Sequence, residues 1–168
     1  RGSHNVQNIV GAIAVANTLG VPFADLVMPV KRLECVPHRL QIIKGTNKTI
    51  IDDAFNSNPT GAKAALDTLA VFDGFKILVS PGMVELGEKE YELNKRFGEQ
   101  AAEICDFVIA VGERQAVPIV DGLKANGYPE EKTYVAKNLN EALAKVENIK
   151  TGGEKKIVLL ENDLPDNY

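Results

Sequence analysis

Three short apolar runs constrain this chain most: Phe75-Lys76-Ile77-Leu78-Val79, Phe107-Val108-Ile109-Ala110-Val111 and Lys156-Ile157-Val158-Leu159-Leu160. Each is too short for a buried helix and too continuous for a half-exposed strand. The first two read as buried strands and the third as a last strand. The segments between them carry helical spacing. Pro59 suits a first helical turn ahead of 62–71. Residues 87–105 form a long amphipathic stretch rich in Glu and Lys, and 114–126 a further helix. Thr133 to Val135 is a short strand. Residues 139–146 are helical, with Asn138 as N-cap and Glu141 placed as in a capping box. Residues 40–43 and 49–51 flank Lys44-Gly45-Thr46-Asn47-Lys48, a hairpin loop. Strands alternating with helices imply right-handed crossovers. The expected fold is α/β: a Rossmann-like, mostly parallel sheet of about six strands flanked by helices.

The first part of the chain has a different character. Residues 5–19 form an amphipathic helix stopped by Gly20, and Val21-Pro22 breaks the chain. A short helix over 24–28 follows, then a linker from Pro29 to Pro37. About thirty residues cannot bury a core alone. The expected division is therefore a helical tail of a preceding domain plus linker, 1–36, and an α/β domain, 37–168.

With 168 residues, 45% hydrophobic and 25% charged, one domain with a short appendage is expected. A net charge of −4 argues against a nucleic-acid partner. No apolar run approaches ~20 residues, so no membrane partner is expected, and no secretory leader is legible. Cys35 and Cys105 have no metal-like spacing. They read as reduced, half-buried thiols of a cytoplasmic protein, with a disulfide left open.

The chemistry gathers in Thr49-Ile50-Ile51-Asp52-Asp53-Ala54-Phe55-Asn56-Ser57-Asn58-Pro59. A strand runs into two carboxylates, then a carboxamide-bearing loop, then a helix-opening proline. Open α/β sheets bind ligands at the carboxyl ends of their strands. Asp52 and Asp53 alternate faces. One of them can accept ribose hydroxyls or hold water on magnesium, while Asn56 and Asn58 can donate and accept at once. The same residues are equally those of an ordinary turn and helix cap. Arg39, in Pro37-His38-Arg39, could reach a phosphate across a cleft or stand as a plain surface charge. The loop Ser80-Pro81-Gly82-Met83-Val84-Glu85-Leu86-Gly87 is either a ligand-approaching backbone or a simple strand-to-helix connection. No Walker A loop and no GxGxxG fingerprint occurs, so a nucleotide site here lacks its own phosphate cradle. No Ser-His-Asp or Cys-His set and no metal-ligand spacing is legible; no catalytic or metal residue is assigned within the chain.

Taken together these strings resemble the C-terminal part of the Mur ligase family, and within it the branch that adds D-Ala-D-Ala to UDP-MurNAc-tripeptide. Asp52 to Pro59 resembles its Asp-Asp-x-(Tyr/Phe)-Asn-x-Asn-Pro string, Gly82 to Gly87 its Gly-Met-x-Glu-Leu-Gly string, and Phe97-Gly98-Glu99 its long helix. Pro37-His38-Arg39 resembles the arginine-bearing start of the C-terminal domain. His4-Asn5-Val6-Gln7-Asn8 resembles the His-Asn-x-x-Asn segment that ends the central ATPase domain. The resemblance implies an ATP-dependent amide ligase of peptidoglycan precursor synthesis, which phosphorylates a carboxylate for attack by an amine. It implies ATP and Mg2+ as cofactors, bound mostly by the central domain, and the rest of the ligase chain as partner. Asn5 and Asn8 would lie near the adenine and Arg39 near the phosphates. Asp53, Asn56 and Asn58 would meet the ribose or phosphate side. The domain would help hold the incoming dipeptide, and the fragment alone would be inactive. Two departures stand out. Pro81-Gly82-Met83 replaces Gly-Asp-Met, and Leu160-Glu161-Asn162-Asp163 replaces a basic Lys-Gly-Ser-Arg ending, so an acidic segment stands where a basic one is usual.

Rival readings are a related folate polyglutamate or cyanophycin synthetase, whose corresponding loop usually carries a histidine, and a non-catalytic Rossmann-like binding module. A phospho-receiver domain also has paired acids, but here Val79 leads into Ser80-Pro81 and Val111 into Gly112-Glu113, so its acceptor Asp and its Lys are missing.

Overall fold

The computed structural model describes residues 3–33 and 36–162, with side chains from Val6 onward. Two helices come first, α1 (Ser3–Thr18) and α2 (Phe23–Lys31). The linker expected from Pro29 begins later, because α2 carries Pro29 inside its last turn. The Arg32 N–H closes that turn on the carbonyls of Met28, Pro29 and Val30.

A six-stranded sheet follows: β1 (Gln41–Lys44), β2 (Lys48–Asp53), β3 (Phe75–Ser80), β4 (Phe107–Val111), β5 (Thr133–Ala136) and β6 (Lys156–Glu161), in the order β1-β2-β6-β3-β4-β5. Only β1 is antiparallel to its neighbour. The connecting helices are α3 (Pro59–Ala70), α4 (Glu90–Ile104), α5 (Ala116–Ala125) and α6 (Leu139–Asn148). A short 3-10 turn over Gly87–Lys89 occupies the expected start of α4.

Handedness decides the layers. From β2 to β5 the chain steps across the sheet in one direction, so right-handed crossovers put α3, α4 and α5 on one face. Their Leu66, Leu69, Phe97, Ile119 and Leu123 pack on Ile51, Leu78, Val108 and Leu159. The last crossover runs backwards to seat β6 between β2 and β3, so α6 lies on the other face. There Ala142 and Val146 meet Ile77, Val79, Ile109 and Val158. Helices α4 and α5 pack closely because Gly98 faces the Ile119 backbone and Gly122 faces the Lys95 backbone.

Asn138 caps α6 as expected, accepting the Glu141 N–H at 3.0 Å. The reciprocal arm differs from a capping box. The Glu141 carboxylate takes the Lys137 N–H at 3.0 Å and the Tyr134 hydroxyl at 2.6 Å. Cys105, expected half-buried, is buried beside Ala101 and Tyr128, and burial pushes its thiol well above the ordinary value. Cys35 lies outside the described residues. Among the described residues no helix is long and apolar enough to cross a membrane.

Candidate functional site: the carboxyl edge of the sheet

The β2–α3 loop is built by Asn58, whose Oδ1 accepts the N–H groups of Thr60 (3.1 Å) and Gly61 (3.0 Å) ahead of Pro59. Its side-chain amide is left for other partners. The two carboxylates before the loop diverge, as strand alternation requires. Asp52 is buried and meets His38 Nδ1 at 2.9 Å, with its other oxygen accepting the Ala54 N–H. Asp53 accepts the Leu40 N–H at 2.9 Å. Both carboxylates thus pin the segment 38–40 to the sheet, where His38 and Leu40 adopt positive φ. Burial pushes the Asp53 carboxyl above its ordinary value; the Leu40 N–H and the Arg39 charge pull it back, and Asp52 adds to the push. The Arg39 guanidinium stacks over the Phe55 ring, 4.4 Å from its centroid.

Asn8, Arg39, Asp53, Asn56 and Asn58 line one cavity of roughly 300 Å³, with Ser57 and Thr60 beside them. So α1, the pinned segment and the β2–α3 loop bring together five of the six nucleotide-binding candidates. The sixth, Asn5, lies on α1, and its side chain is outside the described ones. His38, unremarkable in the sequence, owes its role to Asp52, fourteen positions away.

A second cavity, of roughly 560 Å³, opens where connections leave β4 and β5 for opposite faces. Val79, Val111 and Leu160 line it, and Glu113, Lys137 and Asn162 supply polar groups. None of these was a sequence candidate. The signal available was positional: they follow strand ends at the carboxyl edge.

Glu161 overturns its reading as the start of an acidic loop. It is the last residue of β6, in register with Asp53, and fully buried. Ser57 Oγ donates to its Oε1, and Ser80 Oγ donates to its Oε2 at 3.0 Å. Burial pushes the carboxyl up to about 7 against the pull of both serines, and Asp53 adds to the rise. Asn162 then joins two loops: its Oδ1 accepts the Ser57 N–H at 3.1 Å, and its Nδ2 donates to the Gly82 carbonyl. Asp163 to Tyr168 are outside the described residues. Beneath the β3–α4 loop, buried Asn94 accepts the Met83 N–H at 2.7 Å and donates to the Met83 carbonyl at 2.8 Å.

Residues 38–160 match the family described as Mur ligase, glutamate ligase domain. The chain belongs to the Mur ligase family. The UDP-N-acetylmuramoyl-tripeptide--D-alanyl-D-alanine ligase of Haemophilus influenzae is 33% identical over 118 residues, 69% of this chain and 26% of that protein. MurF from Acinetobacter baumannii superposes with a TM-score of 0.83 at 29% identity, covering 96% of this chain and 35% of that one. MurF from Thermotoga maritima in complex with ADP gives 0.73 at 26% identity, covering 97% and 35%. This Mur ligase chain therefore spans about a quarter of the curated relative, at 26%, and about a third of the solved structures, at 35%. The six-stranded α/β sheet expected from the apolar runs is the fold these relatives share.

Proposed function

We propose that this chain is the closing domain of an ATP-dependent amide ligase that adds D-Ala-D-Ala to UDP-MurNAc-tripeptide in peptidoglycan precursor synthesis. The observation that carries this reading is the convergence of Asn8, Arg39, Asp53, Asn56 and Asn58 on one cavity. A cation, a carboxylate and carboxamides there suit one side of a nucleotide: Arg39 for phosphate oxygens, Asp53 and the amides for ribose and phosphate. When bound, ATP with Mg2+ would supply the phosphoryl group that activates a carboxylate. The residues of this chain bind and orient. Residues 1–36 are assigned to the tail of the central ATPase domain and 37–168 to the closing domain. The exposed apolar side chains of Val6, Val10, Val15, Leu19, Phe23 and Met28 support that division, because a helix pair ending a larger domain leaves such a face for the rest of that domain. The larger cavity, with Lys137 and Glu113 of opposite charge, suits the carboxylate and amine ends of the incoming dipeptide. A cytoplasmic location follows from this role.

The test is an ADP titration of the 15N-labelled chain. Saturable shifts at Asn8, Arg39, Asp53 and Asn56, lost in Arg39→Ala, are expected. Shifts confined elsewhere would overturn the assignment. D-Ala-D-Ala is expected to perturb Gly112, Lys137 and Asn162 instead.

A further inference from the structure

Glu161 stands behind the smaller cavity and plays no part in the reading above. Ser57 lines that cavity, yet its hydroxyl is turned inward onto Glu161 Oε1. The Ser57 backbone does not depend on this bond, because Asn162 holds its N–H. Only the hydroxyl is free to turn. Ser80 differs. Its Oγ accepts the Gly82 N–H at 3.0 Å while donating to Glu161 Oε2, so both of its roles are filled. Among the described residues no ion pair involves Glu161. Asp53, from β2, is the charged side chain whose field reaches it. Around the cavity the other charged group is Arg39, and behind Asp53 stands the hydrogen-bonded His38–Asp52 pair.

We propose that Ser57 is an anion-binding donor of this cavity and that the proton on Glu161 governs its availability. When Glu161 is ionised, both of its oxygens accept, so Ser57 spends its single O–H inward and a negative charge stands behind it. When Glu161 is neutral, its own O–H is donated to Ser57 Oγ. The Ser57 proton is then free to point into the cavity, towards a phosphate or other tetrahedral anion held by Arg39. The Glu161 O–H forms with a proton taken from solvent and breaks by returning it there; every other change is a rearrangement of hydrogen bonds. Burial places this change near neutral pH. By linkage, an anion that prefers the neutral state binds more weakly as pH rises. The anion chemistry rests on the nucleotide reading of the cavity, while the proton switch itself does not.

The experiment uses the 15N-labelled chain and sulfate, whose charge is constant over the range. Sulfate affinity is read from the Ser57 and Asn58 amides at about pH 6 and about pH 8; for a group titrating near 7 that alone gates binding, an about tenfold loss is expected. In Glu161→Gln, whose amide donates as the neutral acid does, the affinity at the higher pH should rise to the value at the lower one. In Ser57→Ala, affinity at the lower pH should fall and the pH dependence should shrink. A tenfold loss that persists in Glu161→Gln assigns it to His38 or Asp53 and overturns the proposal. Sulfate without effect on Ser57 at either pH also overturns it. An ADP arm separates the two readings: pH-gated sulfate binding without ADP binding keeps the switch and sinks the nucleotide assignment.

Discussion

Replacing Asn94 by Ala removes the support of the β3–α4 loop. Asn94 is buried, and its side chain satisfies both the N–H and the carbonyl of Met83, itself 2% exposed, besides donating to the Glu90 carbonyl. Truncation leaves two buried backbone groups of Met83 without partners. Each orphan costs about 1–3 kcal/mol, so the loss is roughly 2–6 kcal/mol before any cavity term. The Glu90 carbonyl adds little, since it lies in the first turn of α4. With a urea m-value of about 2 kcal/mol/M for a domain of this size, the midpoint should fall by roughly 1–3 M. Equilibrium urea unfolding followed by far-UV circular dichroism measures it. Asn94→Asp should not rescue: it keeps an acceptor for the Met83 N–H but sets a carboxylate against the Met83 carbonyl. Exposed Glu92→Ala serves as the reference and should stay within about 0.5 kcal/mol. An Asn94→Ala midpoint indistinguishable from Glu92→Ala would refute the reasoning, because water or loop movement would then be satisfying Met83.

Glu161 should make stability fall as pH rises. Its carboxyl is raised to about 7 in the folded chain, against an ordinary carboxyl near 4.3 when unfolded, so the native state binds the extra proton between those values. This contribution is full below the unfolded value and is lost, up to roughly 4 kcal/mol, as pH rises through the folded one; urea midpoints across pH measure it, and Glu161→Gln should flatten the slope. Gly122→Ala should destabilise by more than about 2 kcal/mol, because a Cβ would fall on the Lys95 backbone and force α4 and α5 apart. Gly127→Ala, which meets open space, should cost only the about 1 kcal/mol of its positive φ; thermal melts compare the two. Asn58→Ala should cost about 1 kcal/mol through the lost α3 cap, whereas Asn58→Asp should retain stability yet weaken ADP binding, through the lost amide and the added negative charge together.

Much of the fold was legible because burial writes itself into periodicity. The runs at 75–79 and 107–111 are strands wherever they are placed, and Pro59 and Asn138 mark helix starts by local hydrogen bonding alone. Pro29 misled, since a proline also fits a last turn whose carbonyls are closed by Arg32. The β2–α3 loop was legible as a strand end turning into a capped helix, but the division of labour within it was not. Alternation separates Asp52 from Asp53, yet only the folded chain shows that both grip residues 38–40.

By itself, the sequence determined the α/β class and the strand and helix identities, and its strings carried the family resemblance. The class and the element identities rest on spacing within a dozen residues, where side-chain period and capping act. Tertiary structure alone decided that β6 returns between β2 and β3. That one placement buries Glu161 against Ser57 and Ser80, 104 and 81 positions away. It makes Glu161, the first residue of an apparently acidic segment, a buried strand end. Desolvation depends on what surrounds a carboxyl in space, and no local pattern of residues carries that information.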